Sequence, residues 1–253
     1  MSNSLAKKVF AVGSAVAVAV SAFPVTALAA AHSAGTNVKS SDGTIWMVMP
    51  DNTRRAYTSA GAFLSYGFNS WSGVVDANAD DLALPVGSFI PPQDGKIICS
   101  DRGADKGTCY LITGAQKGGF TSEAVFKGLG FSFTRATYGD VSWMSSTSNI
   151  DNATASHRPG VLVNNNGAVQ LVGSAGLLGV PDLTTFNSWG YSFSDVVAAN
   201  DADKAFSQTG VMAARTAGQL SPTATTTTTT PPPVSGSVTA SLASDSPATS
   251  VPA

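Results

Sequence analysis

Three stretches of this chain follow the same order of residues. Gly43-Thr44-Ile45-Trp46-Met47-Val48 leads to Phe63-Leu64-Ser65-Tyr66-Gly67-Phe68. Gly107-Thr108-Cys109-Tyr110-Leu111-Ile112 leads to Phe126-Lys127-Gly128-Leu129-Gly130-Phe131. Gly167-Ala168-Val169-Gln170-Leu171-Val172 leads to Phe186-Asn187-Ser188-Trp189-Gly190-Tyr191. The phenylalanines stand 63 and then 60 residues apart. Such a period constrains architecture before any motif is read. One unit carries about six large apolar side chains, too few to offset the ordering entropy of about sixty residues. The units must therefore share a core. The expected fold is α+β, with three tandem repeats over 30–217, each a β-hairpin followed by short helices. The units run over about 37–87, 95–158 and 160–207.

Local chemistry supports those elements. In the third unit, Val161-Leu162-Val163 and Ala168 to Val172 flank Asn164-Asn165-Asn166-Gly167, and Asn-Gly supplies the positive φ angles of a tight hairpin. In the second, Lys96 to Cys99 and Thr108 to Ile112 flank a longer turn; in the first, the strand near Asn37-Val38-Lys39 is the weakest. Ser59, Ser122 and Asp182 each stand four residues before the shared phenylalanine, as N-caps do. Gly67, Gly130 and Gly190 sit where a left-handed residue ends a helix. Asn78 and Asn200, with Asp81 and Asp203 three residues on, open a further helical turn in units one and three. The expected core is Phe63, Trp71, Phe126, Phe133, Phe186, Trp189 and Phe193.

The ends read differently. Lys7 and Lys8 precede the apolar run Val9 to Val20, and Ala27-Leu28-Ala29 fits the small-x-small cleavage rule. Residues 1–29 are therefore a signal peptide; the run is short for a membrane span of roughly 20 residues. Removing the two leader lysines from 14 basic residues leaves 12 against 16 acidic ones, which argues against nucleic acid as a partner. Residues 218–234 read as a disordered Thr/Pro linker around Thr225 to Thr230 and Pro231-Pro232-Pro233. Residues 235–253 read as the start of a truncated β-domain or a disordered tail.

Cys99 and Cys109 flank one hairpin turn, and in an exported chain they pair as a disulfide. Asp76 to Asp81 resembles the start of a calcium loop, but Asp81 and Gly87 stand where an EF-hand needs glycine and glutamate, so capping is the better account and an irregular calcium site is left open. No other cofactor is implied. His32 and His157 have no nucleophile motif beside them, so no catalytic residue is assigned and the chain is read as a non-enzyme. Trp46, Tyr57 and Tyr110 are the candidates for stacking on a ligand, with half-buried strand positions as the alternative.

The residues around Asp81-Leu82-Ala83-Leu84-Pro85-Val86-Gly87, Gly107 to Ile112, and Phe120-Thr121-Ser122 with Phe126 and Leu129-Gly130 carry a resemblance. They are similar to the repeats of exported surface proteins, S-layer-like components among them, from small-genome candidate-phylum bacteria. Ser237 to Pro247 is similar to the start of the β-sandwich domains that follow Thr/Pro linkers in such proteins. The resemblance implies an extracellular, cell-surface structural or scaffold protein, in contact with the cell envelope, a wall glycan or other copies of itself, with no membrane span after signal cleavage. Two alternatives stand beside it: a wall-polysaccharide-binding module targeting a larger protein, and the non-catalytic part of an exported hydrolase.

Overall fold

The strands are short because each apolar run is quickly ended by glycine, asparagine or proline. The computed structural model describes residues 30–68 and 71–225. The expected signal peptide, most of the Thr/Pro run and residues 235–253 lie outside the described residues. The described chain is α+β. In order it runs β1 (Asn37–Lys39), β2 (Ile45–Val48), β3 (Arg54–Ala56), α1 (Ala60–Ser65), β4 (Val74–Asp76) and α2 (Ala79–Ala83). Then come β5 (Ile97–Ser100), β6 (Cys109–Thr113), β7 (Gln116–Gly119), α3 (Glu123–Gly128) and β8 (Thr137–Gly139). Last are β9 (Leu162–Asn165), β10 (Ala168–Val172), β11 (Leu177–Gly179), α4 (Leu183–Ser188), β12 (Val197–Ala198), α5 (Asp201–Lys204), β13 (Gln208–Met212) and β14 (Ala224–Thr225).

The strands form three small mixed sheets. Two have the orders β3-β2-β1-β4 and β7-β6-β5-β8. The third, β12-β9-β10-β11-β13-β14, contains the same order read backwards in its first four strands. In each, an antiparallel three-strand meander is joined on its first strand by a parallel strand that returns after the helix. The far edge receives a further parallel segment. Val86 and Ile90 bridge to the first sheet, Ser146 and Ile150 to the second, and β13 fills that place in the third. Ile90, Ile150 and Met212, at the matching position of those segments, are all buried.

The N-caps are as the sequence implies. The side chains of Ser59, Ser122 and Asp182 accept the N–H of Ala62, Val125 and Thr185. The middle stretch, where the sequence shows no counterpart of Asn78 and Asn200, has no second α-helix among the described residues; there Asp140 accepts the N–H of Ser142 in a turn.

One buried cluster joins Ile97, Leu111, Phe126 and Phe131 to Val161, Val163, Val172 and Val197, so the second and third sheets share a core. Three of the seven expected core aromatics need correction. Phe63, Phe126, Phe186 and Trp189 are buried, but Trp71, Phe133 and Phe193 are 50%, 45% and 64% exposed. Each lies on a 3-10 turn and stacks flat on the helix phenylalanine, at centroid distances of 4.5, 4.4 and 4.7 Å. Spacing alone does not separate a core ring from a ring that covers the core with one face and meets water with the other.

The linker boundary also moves. Gly35, Gly95 and Gly160 each donate to the end of the return strand, at Val48, Ile112 and Val172. The N–H of Gln219 closes on Thr216 at 3.1 Å just as that of Thr36 closes on Ser33, so residues after Met212 make this opening turn once more. β14 then pairs with β13, and Leu220 packs on Met47, Tyr66 and Ile90. Residues 218–225 therefore belong to the folded body, because these contacts fix a stretch whose composition reads as linker. The opening turns meet in pairs. A Cβ on Gly95 would collide with the Gly160 backbone, and one on Gly35 with Gly218. All four have positive φ, so glycine is required twice over. Arg215 completes this closure, its guanidinium lying 5.3, 5.2 and 5.8 Å from the rings of Tyr66, Phe68 and Trp189.

Candidate functional site

Cys99 and Cys109 face each other across β5 and β6 and form a disulfide, which fits an exported protein. The three expected stacking residues are not gathered into one site. Trp46 and Tyr57 belong to the first sheet and Tyr110 to the second, and all three are half-buried. Trp46 donates its Nε1–H to Ser40 and lies under the Arg54 guanidinium at 4.3 Å. Tyr110 lies under the Lys117 ammonium at 4.9 Å. The register places Trp46 beside Val38 and Ala56, whereas Tyr57 packs with Met47 and Phe63 and donates to Asn37. Burial pushes the Tyr57 phenol well above its ordinary range.

Within the acidic run Asp76 to Asp81, the carboxylate of Asp81 is already partnered. Asp81 forms a capping box with Asn78 and also accepts the backbone N–H of His32 and faces its ring, both at 2.7 Å. Burial raises the Asp81 pKa, but the N–H groups of Asn78 and His32 and the His32 ring outweigh it and hold the carboxyl below its usual range. The same constellation recurs at Asp203. It caps α5 with Asn200, accepts the N–H of His157 at 2.7 Å and meets the ring Nδ1 at 2.6 Å. Sequence reasoning missed both clasps, since the partners are 49 and 46 residues apart. The signal was there: Ala30-Ala31-His32 and Ala155-Ser156-His157 each stand three residues before a turn glycine, and each sequence also has a later Asn-x-x-Asp.

The concavity with most varied chemistry lies where the three sheets and the final turn meet. Two adjoining cavities of about 580 and 450 Å³ share Asp94, Gly114, Leu220 and Ser221 in their walls, and so make one cleft. Its first arm is lined by Gln93, Thr113, Tyr191, Ser174 and Thr209. Its second arm is lined by Arg55, Tyr66, Phe89 and Trp143. At the waist, Asp94 accepts the N–H of Ala115, which has a positive φ of 57° in the turn between β6 and β7. Burial pushes the Asp94 carboxyl up, against the lowering effect of those backbone N–H groups. Gln93 is 2% exposed; its Nε2 donates to the Trp189 carbonyl at 3.1 Å while its Oε1 has no partner.

Two aromatic rings on the second arm stand open to water, Phe89 at 62% and Trp143 at 43% exposure. Both are held from behind. Trp143 donates its Nε1–H to the Asp140 carbonyl, and Arg55 clamps the carbonyls of Ser88 and Phe89 at 2.6 and 3.0 Å. Asp94 is the sole carboxylate among the lining residues of the cleft, and Arg55 the sole cation. The cleft was not legible in the sequence as a site, because its two arms together draw their walls from all three stretches.

No family model matches this chain, and no curated protein matches it. Among solved structures, a chain from the periplasmic assembly of the ESX-5 inner membrane complex aligns at 9% identity and a TM-score of 0.18. The alignment covers 71% of this chain and 60% of that one, less than two thirds of its length. A likeness of that size carries no argument about fold or function. Among the described residues, no helix is long and apolar enough to cross a membrane.

Proposed function

We propose that this chain is an exported cell-surface protein with a structural, non-catalytic role, built from three tandem copies of one module, as an S-layer-like envelope component would be. The observation that carries this reading is the set of matching rings Trp71, Phe133 and Phe193. Each covers its module's core with one face and leaves the other open to water, the arrangement that a surface packing against further copies would use. The two His–Asp pairs sit at helix caps and the cysteines are joined, so these groups serve the fold. The disulfide supports an extracellular location. Envelope fractionation with negative-stain imaging tests the reading. It expects the protein in the envelope, in ordered arrays or attached to the wall; a soluble monomer absent from the envelope overturns it.

A second reading, a wall-polysaccharide-binding module, is favoured by one specific observation. The cleft combines open aromatic rings with oriented hydrogen-bonding groups, the mixture that sugar recognition needs.

A further inference from the structure

We infer that the cleft at the junction of the three sheets binds an uncharged oligosaccharide, with Phe89 and Trp143 as stacking platforms and the Gln93–Asp94 arm as its hydrogen-bonding half. The inference deepens the polysaccharide-binding reading and rests on it. A sugar ring has an apolar face of C–H groups and a rim of hydroxyls. It is recognised by a flat ring on one side and fixed acceptors and donors at the edge. The cleft supplies both in adjoining cavities.

The stacking half is pre-organised. An exposed tryptophan ordinarily loses rotamer freedom on binding, but the Nε1–H of Trp143 is already tied to the Asp140 carbonyl at 3.0 Å. The backbone under Phe89 is fixed by the Arg55 fork. Exposure of two large rings also needs a reason in a chain whose other aromatics mostly stack on one another, and a ligand surface is that reason.

The polar half has unspent capacity. Gln93 is buried, its amide plane is set by the bond to Trp189, and its Oε1 acceptor is unsatisfied in the protein. A buried acceptor without a partner is costly, and a water bridging from the ligand to Gln93 removes that cost. Asp94 accepts the backbone N–H groups of Ala115 and Gly114, and a carboxylate has about four acceptor sites, so capacity remains.

The charges choose among ligands. The Nε and one terminal nitrogen of Arg55, the only cation in the cleft walls, are already bonded to the carbonyls of Ser88 and Phe89. A phosphate or uronate would meet the Asp94 carboxylate with no free basic cluster to offset it. The ligand is therefore a neutral glycan and not an acidic one.

The test is isothermal titration of the whole mature protein with cellotetraose, chitotetraose and maltotetraose, with tetragalacturonate as the acidic probe. Saturable binding of at least one neutral tetrasaccharide is expected. Trp143→Ala and Phe89→Ala should each weaken it at least tenfold while leaving the melting temperature within a degree or so, since both rings are open to water. Tyr138→Ala, an exposed ring outside the cleft walls, should leave binding unchanged. Three results overturn the inference: no saturable binding of any neutral probe by folded protein, equal binding by both cleft variants, or tighter binding of tetragalacturonate. Retention of the parent and of both cleft variants alike on insoluble wall polysaccharide would give the second of these results while the polysaccharide-binding reading stands, so the two fall separately.

Discussion

Asp81 and Asp203 perform one task in two settings. Each closes a capping box on an asparagine, and each holds the backbone N–H and ring of a histidine that arrives from far away in the chain. The asparagines copy each other too, donating to the carbonyls of Ala30 and Ala155. The settings differ. The His32 side chain is 35% exposed and its clasp pins the arm that precedes β1. The His157 side chain is 1% exposed, packs edge-on against Phe131, and bonds through Nε2 to the carbonyl of Leu129 at 2.8 Å. Leu129 is the C-cap of α3, so this clasp ties the middle helix to α5. A carbonyl only accepts, so Nε2 is the donor in the bond to Leu129. One local motif thus serves as a surface latch at one place and a core strut at another, and water access sets the difference.

Removing the carboxylates should separate the two most clearly. Asp203→Ala strands the His157 ring, its N–H and that of Asn200 in a dry site, and a loss of about 3–5 kcal/mol is expected. Asp81→Ala should cost about 1–2 kcal/mol, since water reaches part of its partner. Urea unfolding of both variants gives the comparison. Equal losses would mean that burial is not what distinguishes the clasps.

The histidines themselves sharpen it next. His157→Leu leaves Asp203 and the Leu129 carbonyl short of a partner, at about 1–3 kcal/mol for each buried group. His32→Leu should cost about 1 kcal/mol or less, as exposed pairs do. The same unfolding curves, read for each variant against the parent, decide this.

What could be read from sequence follows from the range of the interactions. The N-caps Ser59, Ser122 and Asp182, the Asn166-Gly167 turn and the paired cysteines depend on neighbours a few residues away, and these were legible. Strands β4, β8 and β12 were not. Val74–Asp76 and its counterparts are too short for a period, and only pairing with β1, β5 and β9 makes them strands. Trp71, Phe133 and Phe193 were misplaced because a ring that lids a core has the same spacing as one inside it. The cleft was invisible for a third reason: Asp94, Trp143 and Tyr191 come together only once the sheets have docked.

The caps provide a control in which the two clasps should agree. Asn78 and Asn200 each accept the N–H three residues on, at 2.9 Å. Loss of that bond in Asn78→Ala or Asn200→Ala should cost about 1 kcal/mol in either place. A much larger loss at Asn200 would show that its bond to Ala155, at 2.7 Å, carries part of the strut.

Acid should release the latch by a smaller and graded amount. Asp81 has its pKa held below the ordinary carboxylate range in the folded state. Its folded form therefore binds a proton less readily than the unfolded chain, whose aspartates titrate near about 3.9. The stabilisation is present in full above that pH and is lost as pH falls through the lower folded value. Comparing the parent with Asp81→Asn, which keeps the shape and removes the charge, isolates this contribution. The stability gap between them should shrink as pH falls below about 4. A gap that stays unchanged down to pH 2 would mean that the Asp81 charge contributes nothing. The His32 clasp would then rest on hydrogen-bond geometry alone, which an asparagine could supply as well.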